Sequence, residues 1–272
     1  MIYILSSTII FGFLDALWKP IIDQYGHIQT LLHRTVLTTL LIGLCFIVSN
    51  SFILNYEMIA CSVLSGLLAY LGLFYLTKAF YTAGTSIIVF LNIVTVLISQ
   101  FTSLLLFEED INTSIYLIQV GGSCFAIIAL NKFSIRLSKG IRFGLIASLC
   151  FGIAYPIMGI PIPVIGNLQA TFIQEFTVLL MIMILALKEG NFHFKRSIFL
   201  EYKILLLAGL TCISLLLYFY AYTVIPIYKV NLISNFYPVS AMATAYFLFN
   251  EKIEPIQYLG IITAILVLLS LY

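Results

Sequence analysis

Asp15 and Lys19 stand one turn apart in the segment FGFLDALWKP (11–20), inside a greasy run that begins at Met1 and is long enough to cross a bilayer. At a rise of 1.5 Å per residue, Asp15 lies about 21 Å along such a helix, roughly two thirds of the way across a ~30 Å hydrocarbon core. A carboxylate at that depth costs on the order of 2.5–3.5 kcal/mol on insertion scales, so it faces a wet cavity or a partner rather than lipid. Burial disfavours its ionised form, which suits a proton carrier, and its charge suits a cationic group on a solute. The structural alternative is neutralisation by Lys19 at i+4. Lys19 can also reach the headgroups on its long stem, with Pro20 ending the helix. The functional reading is preferred because ionisable groups inside membranes are seldom idle. Glu175 is the second buried acid; it can reach the outer interface, and for it a structural role is preferred.

Polar residues at helical spacing mark the faces that can line a hydrated cavity. Asn92, Thr95, Ser99 and Thr102 form one such stripe, and Thr211, Ser214, Tyr218 and Tyr222 another. Shorter sets are Ser148, Gly152 and Tyr155; Asn231, Asn235 and Pro238; and Tyr70, Lys78 and Tyr81. Ser and Thr in such stripes serve first as interhelical glue, worth around 0.6–2 kcal/mol each, whereas Tyr and Asn are better ligands for a solute. The candidate substrate-binding set is therefore Asp15, Tyr70, Lys78, Tyr81, Asn92, Thr95, Ser99, Tyr155, Tyr218, Tyr222, Asn231 and Asn235, with Asp15 also the proton-coupling candidate. The remaining aromatic residues are assigned to lipid-facing belts and helix packing.

Several chemistries lack their residues. There is no His-Glu-x-x-His, no phosphate-cradling Gly-Lys loop and no Gly-x-Ser-x-Gly elbow. His27, His33 and His193 lie in or beside connections, and Cys45, Cys61, Cys124, Cys150 and Cys212 show no close pairing. No metal, cofactor or nucleic-acid partner is expected.

The elements that must position these groups follow from composition. Hydrophobic residues make up 62% of the chain and charged ones 9%, against about a quarter charged in soluble domains, so the surplus apolar surface must face lipid. Ten stretches of spanning length lie between polar breaks: 2–21, 29–49, 57–79, 84–107, 112–131, 142–161, 168–188, 203–224, 229–249 and 255–272. The first lacks a basic leader and a small-residue cleavage site, so it is expected to stay attached. Of thirteen basic residues, all but Lys229 fall at odd-numbered connections, which places those loops in the cytoplasm and both termini outside. A multi-pass protein of a bacterial inner membrane is expected.

The chain also repeats. LFEEDINTSIYL (106–117) and LFNEKIEPIQYL (248–259) align without gaps at an offset of 142, and FGFLDALWKP aligns with FGIAYPIMGI (151–160) at 140, which matches Tyr155 to Asp15. Two five-helix units follow, 1–131 and 143–272, joined by a basic cytoplasmic linker at 132–142. Because five is odd, the second unit enters the membrane upside down, which is the inverted-repeat arrangement that permits alternating access to a central site. Gly122 with Ala126 and Gly260 with Ala264 are small-xxx-small pairs suited to packing within the monomer or to a homodimer.

With these features the sequence resembles the EamA-like branch of the drug/metabolite transporter superfamily over nearly its whole length. The resemblance rests on the duplicated five-helix unit, on the block 78–130, and on its twin NFYPVSAMATAYFLFNEKIEPIQYLGIITAILVLL (235–269), where the family's proline appears as Pro238. The opening, 11–41, resembles the family's Trp-Gly element with Phe11 in the Trp position. Departures are Val96 where a proline is usual and Asn250 in place of Gly before Glu251. The resemblance implies an all-α protein in which the first, third, fourth, sixth, eighth and ninth spans enclose the substrate, and it places the seventh, with Glu175, away from the cavity. It implies little about substrate, because one fold hosts many functions.

The expected function is secondary transport of a small organic metabolite or drug-like solute by alternating access, with proton-coupled efflux favoured over facilitated uptake or exchange of an amino acid or nucleotide-like metabolite. An intramembrane lipid-modifying enzyme is the rival from another class. It would need a catalytic constellation at the interface, and a scaffold without transport would need no continuous cavity.

Overall fold

In the computed structural model the described residues are 2–82, 92–107, 121, 138–234, 237–249, 258, 262 and 266, and among them every regular element is helical. Helices are what lipid dictates, since each backbone N–H and C=O must be satisfied within its own segment. The elements are α1 (Ile2–Tyr25), α2 (His27–Ser49), α3 (Tyr56–Thr82), α4 (Asn92–Phe107), α5 (Lys139–Ile157), α6 (Ile162–Ile165), α7 (Asn167–Lys188), α8 (Arg196–Phe199), α9 (Tyr202–Val224), α10 (Ile227–Ile233) and α11 (Tyr237–Phe249). Six of them, α1, α2, α3, α5, α7 and α9, are long and apolar enough to cross a membrane. The expected ninth span is covered by α10 and α11. Of the expected fifth and tenth spans only residues 121, 258, 262 and 266 are among the described ones, and the basic linker up to residue 137 and both small-xxx-small pairs lie outside them.

Pro20 does not end α1, which continues to Tyr25. The break comes at Gly26, whose φ of 78° and ψ of 158° belong to a region that only glycine occupies readily. Gly166, 140 residues later, has φ 83° and ψ 154° and opens α7 in the same way. The correspondence extends into both helices. Gln29 donates to the carbonyl of Asn191 at 2.6 Å, in the connection after α7, while Gln169 bonds both the N–H and the carbonyl of Ile53, in the connection after α2.

Helix contacts follow the same offset. The main partners are α1 with α9 and α3 with α5, α1 with α11 and α4 with α5, α2 with α9 and α3 with α7, and finally α2 with α7. The first three pairs of contacts interchange when the two halves of the chain are exchanged, and the last maps onto itself. Gly12 permits the α1–α11 crossing, because a Cβ there would sit 2.6 Å from the Cβ of Ser240. Gly152 permits the α4–α5 crossing, where a Cβ would sit 2.6 Å from that of Ile98. These positions are 140 and 142 residues apart.

Buried hydroxyls and amides tie the helices together, as expected where no hydrophobic force draws one greasy helix to another. Ser7 Oγ donates to the Ser214 carbonyl at 2.8 Å and Ser214 Oγ returns the bond to the Ser7 carbonyl at 2.9 Å. Ser65 Oγ donates to the Ala154 carbonyl at 2.7 Å and Gln174 Nε2 to Ser65 Oγ at 2.9 Å. Outward faces are apolar instead: Ile47 and Val48 of α2 and Phe247 of α11 are 72%, 84% and 77% exposed, a surface suited to acyl chains. The buried polar groups therefore lie within an apolar core, and the outward faces are apolar too.

Candidate functional site

A cavity enclosing about 1050 Å³ of space between atoms, part of it open to solvent, lies between the helices. Its walls come from both halves of the chain: Phe11, Asp15 and Trp18 of α1, Arg34 of α2, Thr95 and Ser99 of α4, Phe151 and Tyr155 of α5, Gln174 and Glu175 of α7, Tyr218 of α9 and Asn231 of α10 among them. The tryptophan is the only one in the chain.

Asp15 is 4% exposed and faces this space. Lys19 turns elsewhere. Its Nζ lies 3.3 Å from Asp23 Oδ2 and 3.4 Å from the Phe80 carbonyl, so its ion pair is made one turn further along α1, toward the helix end. Tyr155, the residue matched to Asp15, stacks on Phe151 with ring centroids 5.5 Å apart and leans on Tyr218 at 5.4 Å. Tyr218 in turn donates to Asn231 Oδ1 at 2.8 Å, and Asn231 Nδ2 donates to Ser103 Oγ at 3.1 Å, which links α9, α10 and α4. Phe11 meets Tyr218 and Tyr237 edge-on at 6.3 and 6.4 Å. The wall thus carries a group of aromatic rings, of which Tyr155 and Tyr218 are expected from sequence, whereas Phe11, Trp18, Phe151 and Tyr237 belong to the aromatics assigned to lipid belts and helix packing.

Six of the twelve expected residues line the cavity: Asp15, Thr95, Ser99, Tyr155, Tyr218 and Asn231. Four lie elsewhere. Tyr70 stacks on Phe74 and Lys78 Nζ sits 4.1 Å over the same ring, while Tyr81 is 62% exposed beside His27. The reason is helical phase. The face of α3 turned to the cavity is Ala69, Leu73 and Leu76, and a step of one residue turns a side chain by about 100°. Tyr222 stands behind the wall, 3.4 Å from the Tyr218 hydroxyl. The side chain of Asn92, and Asn235 altogether, lie outside the described residues.

The most consequential feature of the wall was assigned otherwise from sequence. The charge distribution sets Arg34 beside the first connection, the family resemblance makes it the Arg that begins the second span, and that resemblance places Glu175 away from the cavity. Instead they form an ion pair, Nη1 to Oε2 at 3.2 Å, with each side chain 6% exposed and both facing the cavity. One signal could have found it: opposite charges 141 residues apart, between the two repeat offsets. Gln174, 1% exposed on the same wall, went unnoticed because a lone amide in a span has no pattern to mark it.

Comparison with curated proteins gives no match. Among solved structures, one crystal structure described only as that of a protein aligns with a TM-score of 0.65 and 13% identity over 97% of this chain and 95% of that one, a likeness of fold alone. The model of the EamA-like transporter family matches residues 138–272. Through that match the chain belongs to the EamA-like transporter family of the drug/metabolite transporter superfamily, and it is a multi-pass integral membrane protein.

Proposed function

We propose that the chain is a secondary transporter that moves a small organic solute through the central cavity by rocking one half, 1–131, against the other, 143–272, about the linker 132–142. The carrying observation is that one cavity is walled by both halves, whose helix contacts interchange at a constant offset. Gly26 with Gly166, Gln29 with Gln169, and Gly12 with Gly152 support the same reading, since each pair does the same work at corresponding places. Two units of five spans would then be related by an axis in the membrane plane, so that closing one entrance opens the other. The basic residues put the odd-numbered connections in the cytoplasm of a bacterial inner membrane.

Asp15 is the coupling acid in this reading. A buried carboxylate facing the cavity can hold either a proton or a cationic group of the solute, which favours proton-coupled efflux of an amine-bearing metabolite. Flux of a labelled amine panel in proteoliposomes, with and without an imposed pH gradient, tests it. Flux should follow the gradient in the wild type and lose that dependence in Asp15→Asn. Equal dependence in both proteins removes Asp15 from coupling, and absence of any solute flux removes the transport reading.

A further inference from the structure

His33, early in α2, is wholly buried, and both of its ring nitrogens are engaged. The Lys195 N–H donates to Nε2 at 3.2 Å, so Nε2 carries a lone pair; Nδ1, 2.8 Å from the Gln29 carbonyl, must then carry the hydrogen. The two partners together fix one neutral tautomer. Lys195 belongs to the connection between α7 and α9, which α2 also holds through Gln29, whose Nε2 donates to the Asn191 carbonyl at 2.6 Å. Phe194 and Phe199 of the same connection meet the imidazole edge-on at 6.1 and 4.8 Å. Phe192 and Ile198 are seated in the hydrophobic cluster that includes Leu14 and Trp18 of the cavity wall. The connection is thus clasped over the place where α1 gives way to α2.

We propose that His33 is a proton site outside the central cavity, and that a proton taken there releases this clasp. The inference rests on the transport reading only for the side it faces, since that reading puts the seventh connection in the cytoplasm. A protonated imidazole is a donor at both nitrogens, so its Nε2–H would meet the Lys195 N–H head-on and the bond between them is lost. Its charge would also sit unexposed among phenyl rings. Among the described residues Lys195 is the charged group that acts on the ring, and it is a cation. Arg34, next along α2, is turned to Glu175; Glu189 acts on His27, Glu201 is bonded by Tyr25, and His193 is exposed. The side chain of Arg196 lies outside the described residues. A buried charge without an opposite partner is costly, so the protonated state favours a connection that swings off and lets water reach the ring. The repeat makes this a property of one end of the molecule. Gln169 holds Ile53 at the other end as Gln29 holds Asn191, but the offset of 140 puts Ile173 where His33 stands.

Hydrogen exchange of the purified full-length protein reads the clasp through the Lys195 amide and its neighbours in 189–201, once each rate is divided by the intrinsic rate at that pH. No solute is needed. In the wild type, protection there should fall by about tenfold between about pH 8 and about pH 5, the range in which an imidazole titrates, while amides in the middle of α2 keep theirs. H33Q supplies a carbonyl that can accept from the Lys195 N–H and cannot take a proton, so its connection should stay protected at both pH values. H33L has no acceptor and should leave the connection unprotected at both; should H33L fail to fold, the wild type and H33Q decide the matter. H193Q, which changes the exposed histidine, should behave as the wild type does. The proposal is overturned if wild-type protection is the same at both pH values, if H33Q keeps the fall, or if the fall disappears in H193Q. These outcomes leave the transport reading untouched, whereas an absence of solute flux in proteoliposomes sinks that reading and leaves the proton site standing.

Discussion

Replacing Gly12 by alanine should loosen the α1–α11 crossing, and replacing Gly152 should do the same to α4–α5. A methyl at Gly12 would lie 2.6 Å from Cβ and Oγ of Ser240 and 2.7 Å from the backbone nitrogen of Ala241; at Gly152 it would lie 2.6 Å from Ile98 Cβ and 2.9 Å from the Thr95 carbonyl. Carbon atoms settle about 3.5–4.0 Å apart, so each pair of helices must separate by about 1 Å. Backbone and Cβ atoms cannot rotate away, which puts the overpacking cost in the upper part of the ~1–3 kcal/mol range. Alanine regains about 1 kcal/mol of helix propensity, leaving a net loss of about 1–2 kcal/mol at each site. Gly209 of α9 is the internal control. Nothing lies within 4 Å of its added Cβ, so Gly209→Ala should gain up to about 1 kcal/mol. Thermal unfolding in detergent, followed by the fluorescence of Trp18, reads the difference, at roughly 2–4 °C per kcal/mol for a chain of about this size. Gly12→Ala and Gly152→Ala should unfold several degrees below Gly209→Ala. Either one unfolding at or above that control would refute the close-crossing argument.

The other expectations use the same unfolding assay. Arg34→Gln alone should cost about 3–5 kcal/mol because it leaves Glu175 buried without its partner, and R34Q/E175Q should cost clearly less; equal losses would show that the pair is not coupled. Asn231→Leu should cost about 1–3 kcal/mol, since it deprives the Tyr218 hydroxyl of its 2.8 Å acceptor and Ser103 of a donor, while Tyr218→Phe should cost less than that. Gly26→Ala and Gly166→Ala should each cost about 1–3 kcal/mol through backbone strain alone, because nothing within 4 Å would meet the new Cβ; unchanged melting would refute it. Lys19→Gln should leave melting unchanged, because its pair with Asp23 is partly exposed and such pairs contribute little.

The sequence by itself determined the membrane class, the limits of most helices and the offset of the repeat, because hydropathy and helical period act along the chain and lipid leaves the backbone no other choice. Asp15 was legible for the same reason: an acid so deep in a span must face inward. What the tertiary structure decided was phase and partnership. Tyr70 and Ala69 are neighbours in sequence, and only the packing of α3 against α5 and α7 turns Ala69 to the cavity and Tyr70 against Phe74. Arg34 reads as a charge at the start of the second span until Glu175, 141 residues away, is brought within 3.2 Å of it. The aromatic wall is likewise assembled from several helices: polar stripes mark Tyr155 and Tyr218 in the sequence, but nothing there sets Phe11 and Phe151 apart from the rings that face lipid. A single helix specifies which residues share a face, but which face meets the cavity is set by the helices packed around it.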